Sequence, residues 1–131
     1  PYYGKALEIA PDDGEVLAAY ATFLEEAKEL EEAEQMYLRA VRHSPRDASL
    51  LYNVALFFEE RRKDYEQADD FYLRALEASP EDPTINEGYA DFLTKRMKNK
   101  RAAVQYYAAA EAGKSAANPR ERSKPTTEKA P

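Results

Sequence analysis

One stretch of sequence, Ala33–Pro45, returns as Ala68–Pro80 and constrains the fold of this chain more than any other feature. The two copies carry Ala, Tyr, Ala and Pro at the same offsets, and the segment Tyr-Leu-Arg-Ala is identical in both. We expect a third copy to begin at Ala102, with Tyr106 and Ala109 in register. Short segments that recur in register indicate one supersecondary unit used several times.

The spacing of the prolines gives the length of that unit. A partial copy opens the chain, and its members are Tyr3, Ala6, Leu7 and Pro11. From Pro11 to Pro45 is 34 residues, and from Pro45 to Pro80 is 35. Because the chain starts inside a repeat and without Met, we expect it to be a fragment of a longer protein.

Within each unit the apolar residues follow the i, i+3, i+4, i+7 spacing of one helical face. Two helices are predicted per unit, and a short carboxylate caps each first helix at Asp13, Asp47 or Asp82. The predicted inward positions are Leu17, Tyr20, Ala21, Leu24, Ala33, Tyr37, Ala40 and Val41, then Leu51, Val54, Ala55, Phe58, Ala68, Tyr72, Ala75 and Leu76, and finally Tyr89, Ala90, Leu93, Ala102, Tyr106 and Ala109.

The predicted fold is therefore all-α, with pairs of antiparallel helices stacked one after another. Residues 1–13 are predicted as the second helix of a truncated unit, followed by units at 14–47, 48–82 and 83–113. The extra residue of the second unit is placed in the polar turn 61–64, and Gly113 is predicted to stop the last helix. Residues 114–131 carry prolines and charges and are predicted to be a disordered basic tail.

Composition excludes several classes of site. The chain has no cysteine, and we find no phosphate-binding glycine loop, no Ser/His/Asp set and no calcium loop. The single histidine, His43, has no partner residue in the sequence for metal binding or acid–base chemistry. We therefore expect a protein that is not an enzyme and that needs no cofactor or metal.

Charge is distributed unevenly along the chain. Residues 114–131 carry a net +3, which leaves −9 on residues 1–113 out of the formal −6 of the whole chain. An acidic body makes nucleic acid an improbable partner, since phosphate neutralisation supplies most of that affinity. No apolar run approaches the roughly 20 residues needed to span a membrane. The basic turn 95–101 fits a solvated loop best, with RNA, phospholipid headgroups or an acidic partner as alternatives.

The repeated positions resemble the tetratricopeptide repeat (TPR) family, whose pattern is a small residue in the first helix, Ala-x3-aromatic in the second and a closing Pro. The matching residues are Ala21, Ala55 and Ala90, the pairs Ala33/Tyr37, Ala68/Tyr72 and Ala102/Tyr106, and Pro11, Pro45 and Pro80. Trp is absent, and Ala replaces the family's Gly. The segments 20–24 and 89–93 also resemble the half-a-TPR variant of RNA-processing scaffolds.

Resemblance to this family implies a right-handed α-solenoid whose concave face, lined by the first helices, binds peptides or helices of other proteins. That face would carry many carboxylates and a single lysine, which favours a basic partner. The predicted peptide-binding residues are Glu15, Thr22, Glu26, Tyr52, Asn53, Leu56, Glu59, Glu60, Glu87 and Asp91. The alternative interpretation of these acids is that they form the solvated face of the helices.

One binding mode of the family is not expected here. TPR domains that hold the C-terminal carboxylate of Hsp70 or Hsp90 use five Lys, Asn and Arg positions, of which only Asn53 is matched. The other four places hold Ala18, Thr22, Thr84 and Gly88. A second hypothesis is a structural subunit of a larger TPR or half-a-TPR array that packs or self-associates through its repeat ends. Tyr2, Leu73 and Tyr107 are weaker candidates for partner contact.

Overall fold

The structure is a computed structural model that describes residues 13–117 of the chain, and all regular structure in that range is helical. The helices are α1 (Gly14–Glu26), α2 (Leu30–His43), α3 (Ala48–Phe57), α4 (Tyr65–Ala78), α5 (Pro83–Lys95) and α6 (Lys100–Ala117). A π-helical segment, Phe58–Arg62, continues α3. No strand occurs between residues 13 and 117, which confirms the predicted fold class. The helix predicted over residues 2–10 lies outside the described residues.

Consecutive helices pair as hairpins, α1 with α2, α3 with α4, and α5 with α6. The described residues fall into two compact units, the first ending at Ala78 and the second beginning at Ser79. The first unit holds two hairpins and the second holds one. None of the described helices is both long and apolar enough to cross a bilayer.

The core of the first unit contains most of the inward side chains predicted from the repeat, together with Leu50, Phe57 and Phe71, which were not predicted. Its most deeply buried members include Leu17, Ala21, Ala33, Tyr37, Ala40, Leu51, Val54, Ala55, Ala68, Tyr72 and Ala75. Alanine at the helix crossings allows the two backbones of a hairpin to approach closely, and the rings fill the remaining space. The inward positions predicted for α2 and α4 are confirmed.

An aspartate starts the first helix of every hairpin. The Asp13 carboxylate accepts a hydrogen bond from the Val16 amide at 3.1 Å, and Asp47 does the same for the Leu50 amide at 3.1 Å. Asp82 accepts from two amides, those of residues 84 and 85, at 2.8 and 3.1 Å. These bonds satisfy backbone N–H groups that have no partner inside the helix.

A lysine in the left-handed conformation ends the first helix of every hairpin. The φ angles of Lys28, Lys63 and Lys98 are 67°, 56° and 53°. These lysines are 35 residues apart, whereas Asp13 and Asp47 are 34 apart. The extra residue of the second hairpin therefore lies before Lys63, inside the helix, where a wider π turn accommodates it. The prediction that placed it in the polar turn is corrected accordingly.

The third hairpin differs from its predicted register. The buried alanines of α6 are Ala103 and Ala110, whereas Ala102 and Ala109 are half-buried. Because α6 begins 35 residues after α4, the tyrosine that matches Tyr37 and Tyr72 is residue 107 and not residue 106. The prediction assumed a step of 34 residues at this point.

Tyr106 still takes part in the core of the second unit. Its ring packs edge-on against that of Tyr89, with ring centroids 4.8 Å apart. In the preceding hairpin Phe71 occupies the same repeat position and stacks on Phe58, with centroids 5.6 Å apart. Adjacent aromatic residues in the repeat made the one-residue shift of register invisible in the sequence.

Gly113 does not end the last helix, which continues to Ala117. A Cβ atom at position 113 would lie 2.7 Å from the carbonyl oxygen of Glu81 and 3.2 Å from Cδ of Pro83. Glycine is needed here because the helix passes close to the backbone ahead of α5. The first residues of the predicted tail are thus helical, and the rest of that tail lies outside the described residues.

The capping aspartates lead to a test of the fold. We expect Asp47→Ala to lower the free energy of unfolding by about 1 kcal/mol, because the Leu50 amide loses its acceptor. Asp47→Asn keeps an acceptor oxygen at this position and should lower the free energy of unfolding by only a fraction of that amount. Urea unfolding followed by circular dichroism measures both, and equal losses would contradict a capping role for the side chain.

Candidate functional site

The first unit contains a cleft of about 250 Å³ between its two hairpins. Its lining residues come from α1, α2, α3 and the π segment and are Thr22, Glu25, Tyr37, Asn53, Leu56, Phe57 and Glu60. Four of them, Thr22, Asn53, Leu56 and Glu60, belong to the set predicted from the sequence. The structure therefore brings predicted residues of two repeats together around one opening.

Two aromatic rings form the apolar part of the cleft. Tyr37 from α2 and Phe57 from α3 have ring centroids 5.1 Å apart and are tilted by 49°. Both side chains are almost fully buried. Since Tyr37 belongs to the first hairpin and Phe57 to the second, this contact is part of the junction between them. Neither residue was predicted to line a site, since Tyr37 was predicted as a core position and Phe57 was not among the predicted inward residues.

The Tyr37 hydroxyl is held by two residues that line the cleft. It donates a hydrogen bond to a carboxylate oxygen of Glu25 at 2.8 Å and lies 3.3 Å from the Thr22 hydroxyl. Burial raises the pKa of Tyr37 to about 12, the Thr22 bond acts against that increase, and the Glu25 carboxylate adds to it. The phenol is thus neutral at physiological pH and serves as a fixed donor.

Glu25 also binds a cation. Its second oxygen accepts a hydrogen bond from Nε of Arg61 at 2.8 Å. Glu60, which also lines the cleft, is exposed and forms no hydrogen bond or ion pair with any other residue in the range 13–117. The cleft therefore presents one carboxylate that is already paired and one that is available.

The π segment positions two arginines against the first hairpin. Arg61 reaches Glu25, and the next residue, Arg62, donates to Glu34 at 2.8 Å and lies 3.9 Å from Glu31. Without the extra residue the same helix end would present its side chains at different angles, because each residue advances an α-helix by about 100°. These ion pairs were not predicted, since the sequence gives no sign of the π turn.

Two of the predicted residues belong to the core of the second hairpin and not to the cleft. Glu59 is 7% exposed, and it accepts a hydrogen bond of 2.6 Å from the Tyr72 hydroxyl. Burial and the Glu59 carboxylate both raise the pKa of Tyr72. Tyr52 is half-buried, with its ring centroid 5.9 Å from that of Tyr72. Glu59 is therefore unsuited to meet a partner, contrary to the expectation.

Glu87 and Asp91 lie in the second unit, where both already have partners. Glu87 forms an ion pair of 3.2 Å with Lys114, and Asp91 accepts a hydrogen bond of 2.6 Å from the Tyr107 hydroxyl. Glu15 and Glu26 are exposed at the two ends of α1. A role of these four residues in binding a peptide therefore stays a prediction.

No group of three or more His, Asp or Glu side chains in the described range is arranged to hold a metal ion. The chemistry that the cleft offers is recognition, through two carboxylates, two hydroxyls, an amide and an apolar wall.

Two family models of the tetratricopeptide repeat match the sequence, over residues 1–55 and 48–82. Among solved structures, PilF of Pseudomonas aeruginosa is 30% identical with a TM-score of 0.73, over 85% of this chain and 50% of PilF. A double mutant of MamA is 15% identical with a TM-score of 0.78, over 89% of this chain and 65% of MamA. None of the curated proteins matches.

YrrB, a TPR protein with an unusual peptide-binding site, is 24% identical with a TM-score of 0.72, over 84% of this chain and 56% of YrrB. At this identity the likeness to YrrB, as to MamA, shows the fold alone. The chain spans between half and two thirds of the length of these proteins.

The Tyr37 phenol leads to a pH prediction. Its pKa is raised in the folded protein, so its stabilising contribution is present below pH 10 and is lost as pH rises towards 12. We expect the free energy of unfolding to fall across this window and to fall less steeply in Tyr37→Phe. Urea unfolding at several pH values between 9 and 11.5 measures both slopes, and identical slopes would refute the assignment.

Proposed function

This chain belongs to the tetratricopeptide repeat family, and from that premise we propose that it binds a basic peptide or helix of another protein in the cleft of its first unit. The general role of the family is that of a protein-interaction scaffold, and the family is generally non-catalytic. The cleft, the sign of the partner's charge and the residues named below are our proposal.

The observation that carries the proposal is the pair of carboxylates at the cleft. Glu25 already binds a guanidinium at 2.8 Å, so the chain itself provides an example of the group that this position accepts. Glu60, exposed on the same cleft, has no ion-pair partner among the described residues. A lysine or arginine of a partner can therefore pair with Glu60 and compete with Arg61 for Glu25.

The remaining lining residues define the rest of the ligand. Leu56 and Phe57 offer an apolar wall, and the Asn53 amide can both donate to and accept from a peptide backbone. A cleft of about 250 Å³ is below the usual size of a small-molecule site. We infer that it receives one long basic side chain with its aliphatic stem against Leu56, while the flanking residues of the peptide lie outside.

The shared fold with YrrB, a TPR protein with an unusual peptide-binding site, is consistent with a peptide ligand. The identity of 24% supports no transfer of individual residues, so the contacts proposed for this chain are derived from its own cleft. Glu26, exposed at the end of α1, adds to the negative potential on the approach to the site.

We expect a labelled 12-residue peptide of alternating leucine and lysine or arginine to bind the full chain, with an affinity that falls at least several-fold between 50 and 300 mM salt. Fluorescence anisotropy measures this. Glu60→Lys should weaken binding about tenfold, since it replaces an attraction with a repulsion. Arg61→Ala should strengthen it, because it removes the cation that occupies Glu25.

The matched control is Glu77→Lys, which makes the same charge change at an exposed position of α4 outside the cleft. It should leave affinity nearly unchanged. If Glu60→Lys and Glu77→Lys weaken binding equally, the effect belongs to net charge and the cleft is not the site. Binding that does not respond to salt would contradict the proposal as a whole.

A further inference from the structure

The outer face of α6 in the second unit combines exposed apolar and basic side chains. Its members are Arg101, Val104 and Tyr107, which share one side of the helix at i, i+3 and i+6. Counted from the first residue of each helix, they occupy the positions of Glu31, Glu34 and Tyr37 in α2. The step is 70 residues, or two repeats.

In the first unit the next hairpin contacts the equivalent face of α2, where Tyr37 is buried, Glu34 is half-buried and Glu31 is exposed. Phe57 of α3 packs against the Tyr37 ring at 5.1 Å, and Arg62 binds Glu34 at 2.8 Å and Glu31 at 3.9 Å. One aromatic residue and one arginine at the end of the incoming helix therefore contact all three positions of this face.

The face of α6 remains open. The Tyr107 side chain is 37% exposed and Val104 is 64% exposed, whereas Tyr37 is 3% exposed. The Tyr107 hydroxyl is nonetheless fixed by its bond of 2.6 Å to Asp91, so the ring is held in place with one side towards solvent. A fixed ring loses little conformational freedom on binding a partner.

The residues of this face have changed in a way that a solvated surface would not require. The two carboxylates of α2, Glu31 and Glu34, are replaced in α6 by Arg101 and Val104. A single exposed aliphatic side chain is common on any protein. Here the aliphatic residue lies between an exposed ring and a cation, and it replaces a charge that the covered copy retains.

The neighbouring turn adds positive charge. Lys95, Lys98 and Lys100 are exposed near the start of α6, and together with Arg101 they form no ion pair with another described residue. At the covered junction Arg62 of the incoming helix pairs with acids on the second helix of the hairpin, Glu31 and Glu34, while Arg61 pairs with Glu25 on the first. In the third hairpin the cation, Arg101, is on the second helix, α6. A helix that packs against α6 must therefore carry the acids.

We propose that the face formed by Arg101, Val104 and Tyr107 binds an acidic amphipathic helix of a partner protein, placed against α6 as α3 is placed against α2. An aromatic or large aliphatic residue of that helix packs on Tyr107 and Val104. A carboxylate about one turn further along pairs with Arg101. This site is separate from the cleft of the first unit and takes a ligand of opposite charge.

The probe is a labelled peptide of residues 48–62 with Arg61→Glu and Arg62→Glu, joined to an uncharged Gly-Ser tag for solubility. It keeps the aromatic residue that covers Tyr37 and reverses the two charges that follow it. We expect it to bind the full chain at least tenfold more tightly than the same peptide with both arginines, by fluorescence anisotropy at 50 mM salt.

Substitutions in the full chain complete the test. Arg101→Glu should weaken binding of the acidic peptide and strengthen binding of the arginine peptide, so that the chain prefers the arginine peptide. Val104→Ser should lower the affinity for both peptides several-fold, because it removes apolar surface from the contact. The control Arg46→Glu makes the same charge reversal at an exposed position between α2 and α3 and should leave the preference unchanged. Circular dichroism establishes that each variant is folded.

The proposal is overturned if neither peptide binds, or if Arg101→Glu and Arg46→Glu have equal effects. Self-association that Arg101→Glu abolishes, measured by analytical ultracentrifugation, would make a second copy of the chain the occupant and overturn the assignment to a partner helix. Glu60→Gln in the cleft should not alter binding of the acidic peptide, so failure at one site is distinguishable from failure at the other.

Discussion

A hydrogen bond from a tyrosine hydroxyl to a carboxylate recurs in all three described hairpins, and the rest of the structure depends on it. Tyr37 bonds to Glu25, Tyr72 to Glu59 and Tyr107 to Asp91, at 2.8, 2.6 and 2.6 Å. In the first two hairpins the rings of Tyr37 and Tyr72 are buried in the core, so their hydroxyls need an acceptor, whereas the Tyr107 ring is exposed and makes the same bond at the surface. A carboxylate of the first helix provides one, which ties the two helices of each hairpin together.

This requirement decides which acids remain available to a partner. The sequence predicts many carboxylates and a single lysine on the face formed by the first helices. In the structure Glu59 and Asp91 are acceptors for tyrosines, and Glu25 is shared between a tyrosine and Arg61. Glu60 lies one residue beyond the acceptor position and forms no hydrogen bond or ion pair with another residue between 13 and 117. The capacity of the cleft for a cation therefore rests on fewer residues than composition suggested.

Helix type, the inward positions of α2 and α4 and the capping aspartates were predictable from the sequence, because each follows from a local pattern repeated in register. The site was predictable only in part. Thr22, Asn53, Leu56 and Glu60 were found from the helical face that they share. Tyr37 was missed because a ring that closes a junction between hairpins has the same pattern as any core residue, and Phe57 was not among the predicted inward positions.

The remaining errors of register have one physical origin, which is one extra residue in each of the second and third hairpins. The capping aspartate and the left-handed lysine are 15 residues apart in the first hairpin and 16 apart in the other two. A helix can absorb an extra residue as a π turn and a loop can absorb it as added length, and the sequence is nearly the same in both cases. In the second hairpin the π turn directs Arg61 and Arg62 onto the preceding hairpin. The same step of 35 residues brings Tyr107, and not Tyr106, into the register of Tyr37. A shift of one residue in the repeat thus determines which charges close a junction within the chain and which side chains α6 leaves open to a partner.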